Sequence, residues 1–308
     1  NQITRIIIIT TITTTIKTIQ TTESQTTVIK RTKSFDEKGQ LLYLVATPIG
    51  NLKEISSRAL EVLSDMDIIA AEDTRNTYSL LANYGIKKDL FSLREHNEKE
   101  ASNHIIKQLF EGKKVAYVSD AGYPGISDPG YILVQECIKN DVKVSTVCGS
   151  SAFINALVSS GLPTDHFYYY GFLSAKDSEA KTQLKEMVNR KETLIFYESP
   201  HRIKKQLENI YSILGNRNIV IARELTKLNE EYIRGPLSEI VEIDETTLKG
   251  EMVLIVEGQL EEAKITDDEI ISRVNYLIEK GLKTKAAIEV ASDELKVNKN
   301  YIYKIVHN

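Results

Sequence analysis

The chain has 308 residues, 42% of them hydrophobic and 27% charged, and a formal net charge of −4. That is globular composition at a length that accommodates two domains. No apolar run approaches the roughly 20 residues that cross a bilayer, and the slightly acidic balance gives no overall pull toward nucleic acid, so any RNA contact must come from local basic patches. The two cysteines, Cys137 and Cys148, belong to no CxxC or Cys/His cluster. No metal site and no disulfide framework is therefore expected, and a reducing, cytoplasmic compartment is.

Residues 1–40 differ from everything after them. "TRIIIITTITTTIKTIQTTESQTTVIK" is almost entirely Ile and Thr, a β-branched run prone to aggregate if exposed. It reads as a dispensable leader, a transit peptide or an extra edge strand. The single acid before Asp36, Glu23, suits a transit peptide and the few arginines do not; composition favours the dispensable leader.

From Leu41 the chain alternates. "LLYLVA" reads as a short buried strand, followed by the loop "TPIGN" (47–51) and the helical stretch "SSRALEVLSDM". "DIIAAED" is a second strand and "TRNTYSLLANYG" a helix stopped at Gly85. "LFSLREH" precedes the amphipathic "EKEASNHIIKQLFEG". After "KKVAYVSD" comes a loop, "SDAGYPGISDPG" (119–130), that holds three glycines and two prolines. There Asp128 before Pro129 predicts the cap and first position of a helix. "KVSTVC" and "SSAFINALVSSG" follow, with Ser150 and Ser151 read as caps. This β/α alternation predicts a mostly parallel sheet covered by helices over residues 41–161. "GLPTDHF" reads as a linker. Residues 162–260 supply five strand-like runs and about three helices, including "SEAKTQLKEMVNRK" (178–191), for a second α/β domain. Residues 261–308 are helical and polar.

Ligands of α/β sheets sit at the carboxyl ends of strands. "TPIGN", "EDTRN" (72–76), "REHNE" (94–98), "SDAGYPGISDPG" and "CGSSA" (148–152) are therefore the loops to weigh, and the small-residue loops 47–51, 119–130 and 148–152 are expected to converge on one crevice. GxxxxGK[ST], GxGxxG, GxSxG and HExxH are all absent, which removes P-loop hydrolases, Rossmann dehydrogenases, serine hydrolases and zincins.

"LYLVATPIGNL", "RALEVL", "IIAAEDTR", "EHNE", "VSDAGYPGISDPG", "SGLPTDHFYYYGFL", "TLIFYESPHR", "ARELTK" and "KGEMVLIVEG", in this order, resemble the ribosomal RNA small subunit methyltransferase I family of the tetrapyrrole methylase superfamily. The likeness runs over residues 41–308. It implies an α/β, two-domain fold with S-adenosylmethionine in the interdomain cleft, a small helical C-terminal unit and a homodimer. It also implies methyl transfer to the ribose 2′-hydroxyl of a cytidine in the decoding region of 16S rRNA on the small ribosomal subunit. By position it assigns the cofactor to Pro48, Ile49 and Gly50, to Asp120, Ala121, Gly122, Ser127 and Asp128, and to Ser150, Ser151 and Ala152. The chain departs from the family in having "CGSSA" where PGPSA or PGASA is usual, which puts the rigidity of that loop in question.

A sulfonium methyl is already activated, so the protein must align the acceptor and help remove a weakly acidic hydroxyl proton. Base candidates are Glu72 or Asp73, then His96; Arg75, Glu198, His201, Arg202, Glu224 and Lys227 are further catalytic candidates, as a base or as a cation that stabilises the alkoxide. "IIAAEDTR" and "LIFYESPHR" suggest two carboxylate–arginine pairs, Glu72 with Arg75 and Glu198 with Arg202, facing across the cleft either as catalysts or as structural latches. Near the C-terminus, Ala286, Ala287 and Ala291 permit close helix crossing, and Asn298 is placed to cap a helix bearing Lys299, Tyr301 and Lys304, as in a helix-turn-helix. That unit either contacts RNA or is a small helical pair packed on the dimer. A methyltransferase acting on a small tetrapyrrole and a non-catalytic, nucleotide-responsive binding protein remain the alternatives.

Overall fold

A computed structural model describes residues 29–35, 39–260 and 266–307; most of the Ile/Thr-rich stretch, with the strand reading given to it, lies outside them. Residues 41–160 alternate strand and helix: β1 Leu41–Val45, α1 Ser57–Asp65, β2 Ile68–Ala71, α2 Thr74–Asn83, β3 Asp89–Ser92, α3 Glu98–Phe110, β4 Val115–Val118, α4 Tyr131–Lys139, β5 Lys143–Val147 and α5 Ala152–Ser160. The five strands form one parallel sheet in the order β3-β2-β4-β1-β5. Its middle is fully buried, as a parallel sheet covered on both faces must be. Val115 and Tyr117 of β4 point into one cluster with α3 and α4, while Ala116 and Val118 point into the other with α1 and α2.

Residues 167–256 supply β6 Phe167–Phe172, α6 Asp177–Lys185, β7 Thr193–Glu198, α7 Ile203–Leu214, β8 Asn218–Arg223, β9 Glu231–Pro236, the short helix α8 Leu237–Ile240 and β10 Met252–Val256. This second sheet, ordered β6-β7-β10-β8-β9, is mixed: β6 and β7 are parallel, and β10 runs antiparallel between β7 and β8. One face packs on α6 and α7. The other packs on α5, whose Ala156 and Leu157 meet Ile195, Val220 and Val253, so the helix that leaves the first sheet closes the second. Helix α6 stops at Lys185, short of the helix expected to run to Lys191: Met187 and Arg190 close turns onto Leu184 and Met187, which drops Met187 into the core and lays Arg190 over the Tyr168 ring at 3.8 Å.

The C-terminal unit consists of α9 Asp267–Glu279, α10 Thr284–Leu295 and α11 Lys299–Val306 around a core of its own. Asn298 caps α11 as expected, its side chain accepting from the Asn300 N–H. Ala287 and Ala291 are buried in the helix crossing and Ala286 is exposed. No helix among the described residues is long and apolar enough to cross a membrane.

Candidate active site

Strands β4, β1 and β5 are neighbours, so the loops that follow them emerge side by side at their carboxyl ends. Two backbone hydrogen bonds join the first two loops, Thr47 N–H to Gly122 O at 2.9 Å and Gly122 N–H to Thr47 O at 3.0 Å. Gly122 adopts φ +73 there, a conformation glycine enters without strain. The Tyr123 hydroxyl accepts from the Gly149 N–H at 3.1 Å, tying in the third loop. At Gly149 a Cβ would lie 2.9 Å from the Ala46 side chain. The loop that lacks the family's proline is thus fixed against β1 by close contact and by a tyrosine.

Between these loops and the second sheet lies a cavity of about 380 Å³, within the range of small-molecule sites. Seven of the residues assigned to the cofactor line it: Ile49, Ala121, Gly122, Ser127, Asp128, Ser151 and Ala152. Four do not. Pro48 is buried beneath the loop; Gly50 packs on Lys227, whose Cγ would be 2.6 Å from an added Cβ. Asp120 turns to the start of α2, accepting from the Asp73 N–H at 3.1 Å and the Asn76 amide at 2.7 Å. The Ser150 hydroxyl donates to Glu54 at 3.3 Å. The opposite wall is formed by Phe172, Tyr197, Leu225, Met252 and Val253, with Glu198 and Glu251. Glu198 is the one expected from the sequence; the others were missed because they are distributed over β6, β7, the β8–β9 loop and β10, and the sequence signal was the apolar strand ending in a polar residue, as at "FYES" and "ARELT".

A second cavity, of about 600 Å³, adjoins the first and shares Ser127 and Asp128 with it. Glu72, Asp73, His96, Asp120 and Arg94 line it, brought together because β3, β2 and β4 are adjacent. Two of its carboxyls are pushed up. Burial first, and then the neighbouring Glu72, raises Asp128 to about 7; burial and Asp120 raise Glu72. Asp73 goes the other way, held well below the usual range by hydrogen bonds from the Arg75 side chain and backbone. Arg75 therefore pairs with Asp73 and not with Glu72, because Asp73 sits in the cap position of α2 directly over the arginine. A carboxylate held so firmly in its ionised form is a weak base, so Asp73 is a structural cap and Glu72 the better base candidate. His96 is exposed at the rim.

The start of α4 corrects the capping expected of Asp128 and Pro129. The helix begins at Tyr131, and Gly130 occupies the cap position at φ +139 with no side chain to offer. The cap comes instead from Glu98 on α3, one carboxylate oxygen of which accepts from the N–H groups of Gly130, Ile132 and Leu133 at 2.8, 2.9 and 3.3 Å. The Tyr117 hydroxyl donates to the Pro129 carbonyl at 2.8 Å. Ser127, at φ +59, shares a 2.6 Å hydrogen bond with the Tyr169 hydroxyl of β6, next to a bulge at Gly171. Asp128 is thereby freed to face both cavities. Ser151 likewise stands at the cap position of α5 without making the expected side-chain bond.

Glu198 and Arg202 do pair, at 2.9 Å. Burial raises the Glu198 carboxyl, against the opposing pull of the Ser199 N–H and Arg202. Arg202 also donates to the Leu173 carbonyl at 3.3 Å, which latches β7 to the end of β6. Lys227 bridges Glu224 at 3.0 Å and Glu251 at 2.9 Å at the edge of the first cavity. His201 is exposed.

Residues 41–241 match the family model of the Tetrapyrrole (Corrin/Porphyrin) Methylases. Among solved structures, the methyltransferase CobJ superposes with a TM-score of 0.55 over 72% of this chain and 95% of its own at 17% identity. The cobalt precorrin-4 methyltransferase CbiF gives 0.52 over 70% and 94% at 16%. Two sheets with a cleft between them are thus the fold of the tetrapyrrole methylases. Curated relatives are more similar in sequence: the ribosomal RNA small subunit methyltransferase I of Halalkalibacterium halodurans is 45% identical over 88% of this chain and 96% of its own. That of Escherichia coli O157:H7 is 45% identical over 90% and 98%, and that of Bacillus subtilis 40% over 91% and 99%. The chain belongs to the ribosomal RNA small subunit methyltransferase I family.

Proposed function

We propose that this protein transfers the methyl group of S-adenosylmethionine to the ribose 2′-hydroxyl of a cytidine in the decoding region of 16S rRNA, with the small ribosomal subunit as substrate. The observation that carries the reading is the pair of adjoining cavities that share Asp128: a largely apolar one of cofactor size and an acid-lined one beside it for the acceptor. The names of the relatives supply the substrate class. Residues 41–161 and 162–260 are the two domains that enclose the cofactor, and a homodimer is the working form.

The residues present fit the cofactor. Apolar groups at Ile49, Ala152, Leu225 and Val253 suit an adenine ring, and the carboxyls of Asp128 and Glu198 suit a ligand that carries positive charge on its sulfur and amino group. Bound there, S-adenosylmethionine supplies an activated methyl group. The chain's part is to hold the acceptor ribose in line and to take its proton. Glu72 is suited to accept that proton, since burial raises its affinity for one. His96 at the rim is the second candidate.

Radiolabelled methyl transfer to undermethylated small subunits, with mapping of the modified nucleotide, tests the substrate. Label on a precorrin and none on subunits would overturn it in favour of a tetrapyrrole methyltransferase. Full turnover by both Glu72→Gln and His96→Ala would sink the assignment of the base.

A further inference from the structure

We infer that the exposed face of α11 is a docking surface for single-stranded RNA, which anchors the small subunit while the cleft works; this rests on the rRNA reading above. The segment Lys296–His307, "KVNKNYIYKIVH", contains three lysines, two tyrosines, a histidine and no carboxylate. Ile302, fully buried against Ile270, Val274 and Ala291, seats the helix on its unit. Asn300, Tyr303, Lys304 and His307 recur at helical spacing on the side opposite Ile302, and all four are exposed.

The rings of Tyr303 and His307 stack with centroids 4.2 Å apart and an interplanar angle of 13°, while Tyr303 stays 52% exposed. A flat, water-facing pair of this kind offers a surface on which an unstacked base can continue the stack. Lys304 and Lys296 make no ion pair among the described residues, which leaves their charges available to phosphates. The unit's carboxylates are largely engaged elsewhere: Glu294 with Arg273 at 2.8 Å, Glu289 with Lys299, Asp267 with the Tyr301 hydroxyl at 2.7 Å, and Glu269 in the cap of α9. Asp268, Glu279 and Asp293, which form no ion pair among the described residues, stand on α9 and α10. A protein of net charge −4 thus presents one helix face whose charge complements RNA. Exposed loops, with bases free to stack, are the form of RNA such a face fits.

The test uses the full chain carrying Tyr303→Ala with His307→Ala, and separately Lys304→Glu. All three side chains are exposed, so unchanged thermal unfolding is the control for folding. The aromatic pair of substitutions is expected to raise KM for small subunits about tenfold, from the loss of roughly one stacked base, with kcat and S-adenosylmethionine affinity unchanged. Lys304→Glu is expected to weaken binding to a naked fragment of the decoding-region RNA and to lower the slope of log K against log salt by about one. Unchanged KM and an unchanged slope would overturn the inference. So would weakened binding to subunits with undiminished binding to the RNA fragment, since the face would then belong to a ribosomal protein. Binding to the fragment is read without catalysis, so a wild-type chain that binds it yet methylates no subunit counts against the proposed function and not against the face.

Discussion

Glu98 stands in the "EHNE" string that carried part of the family resemblance, and its part is to hold the end of the loop 119–130. It is 7% exposed and forms no ion pair among the described residues; its charge is met by three N–H groups at the start of α4, groups a helix leaves without partners. Truncation strands those donors, so Glu98→Ala is expected to cost about 2–3 kcal/mol and to weaken S-adenosylmethionine binding about tenfold, whereas Glu98→Gln, which keeps an acceptor oxygen, restores most of both. Chemical unfolding and calorimetric titration of the two variants check this. Asp128, at the loop's other end, makes a prediction in pH. In the folded protein it keeps its proton up to about pH 7, and in the unfolded chain only to about pH 4. Between those values the folded state holds the extra proton, so this group lowers stability as pH rises. Asp128→Asn should therefore unfold at higher temperature than the parent above about pH 7 and at the same temperature below about pH 4. Binding of a cationic cofactor favours the ionised carboxylate, so affinity should climb through about pH 7 in the parent and stay flat in Asp128→Asn.

At the scale of elements, the parallel first sheet was legible because its inner strands β2 and β4 are buried on both faces and read as continuous apolar runs, "IIAA" and "VAYV". The start of α4 was not. Asp128-Pro129 is a strong local signal, but the cap comes from a carboxylate about thirty positions earlier, which no local window contains, and the chain spends the Asp-Pro step on the loop. Gly130 makes the arrangement possible. At φ +139 it adopts a conformation closed to side chains, and a Cβ would lie 3.1 Å from the Gly125 nitrogen and the Tyr117 ring. Gly130→Ala is expected to destabilise by about 2–3 kcal/mol, and to weaken cofactor binding by pushing the Ser127–Asp128 step out of the cleft. A thermal melt together with a cofactor titration measures both effects, and a melt matching that of the parent would mean that the loop has room to relax.

Over the whole molecule, the convergence of three loops could be read from the chain because each follows a strand of one parallel sheet. The opposite wall could not, since the order β6-β7-β10-β8-β9 depends on β10 returning antiparallel between two strands that come before it, and no spacing in the sequence announces that. Nor did the sequence reveal that α5 packs on the second sheet. The C-terminal unit was legible as helices and as a cap at Asn298, and its structure adds that its buried core, Ile270, Val274, Leu277, Ala287, Ile288, Ala291 and Ile302, comes from its own three helices. The cores of the two sheets draw on residues no later than Val256. Stability is therefore divided, because a core that shares no side chains with another need not unfold with it. Removal of residues 261–308 is expected to leave the melting temperature of the remainder within a few degrees of the parent and the S-adenosylmethionine affinity unchanged, while the calorimetric trace loses the enthalpy of one small unit. A fall in melting temperature of more than about 10 °C, or a loss of cofactor binding, would mean that the helices brace the cleft, and the α11 face would then have to be tested for contact with the chain's own body before any RNA.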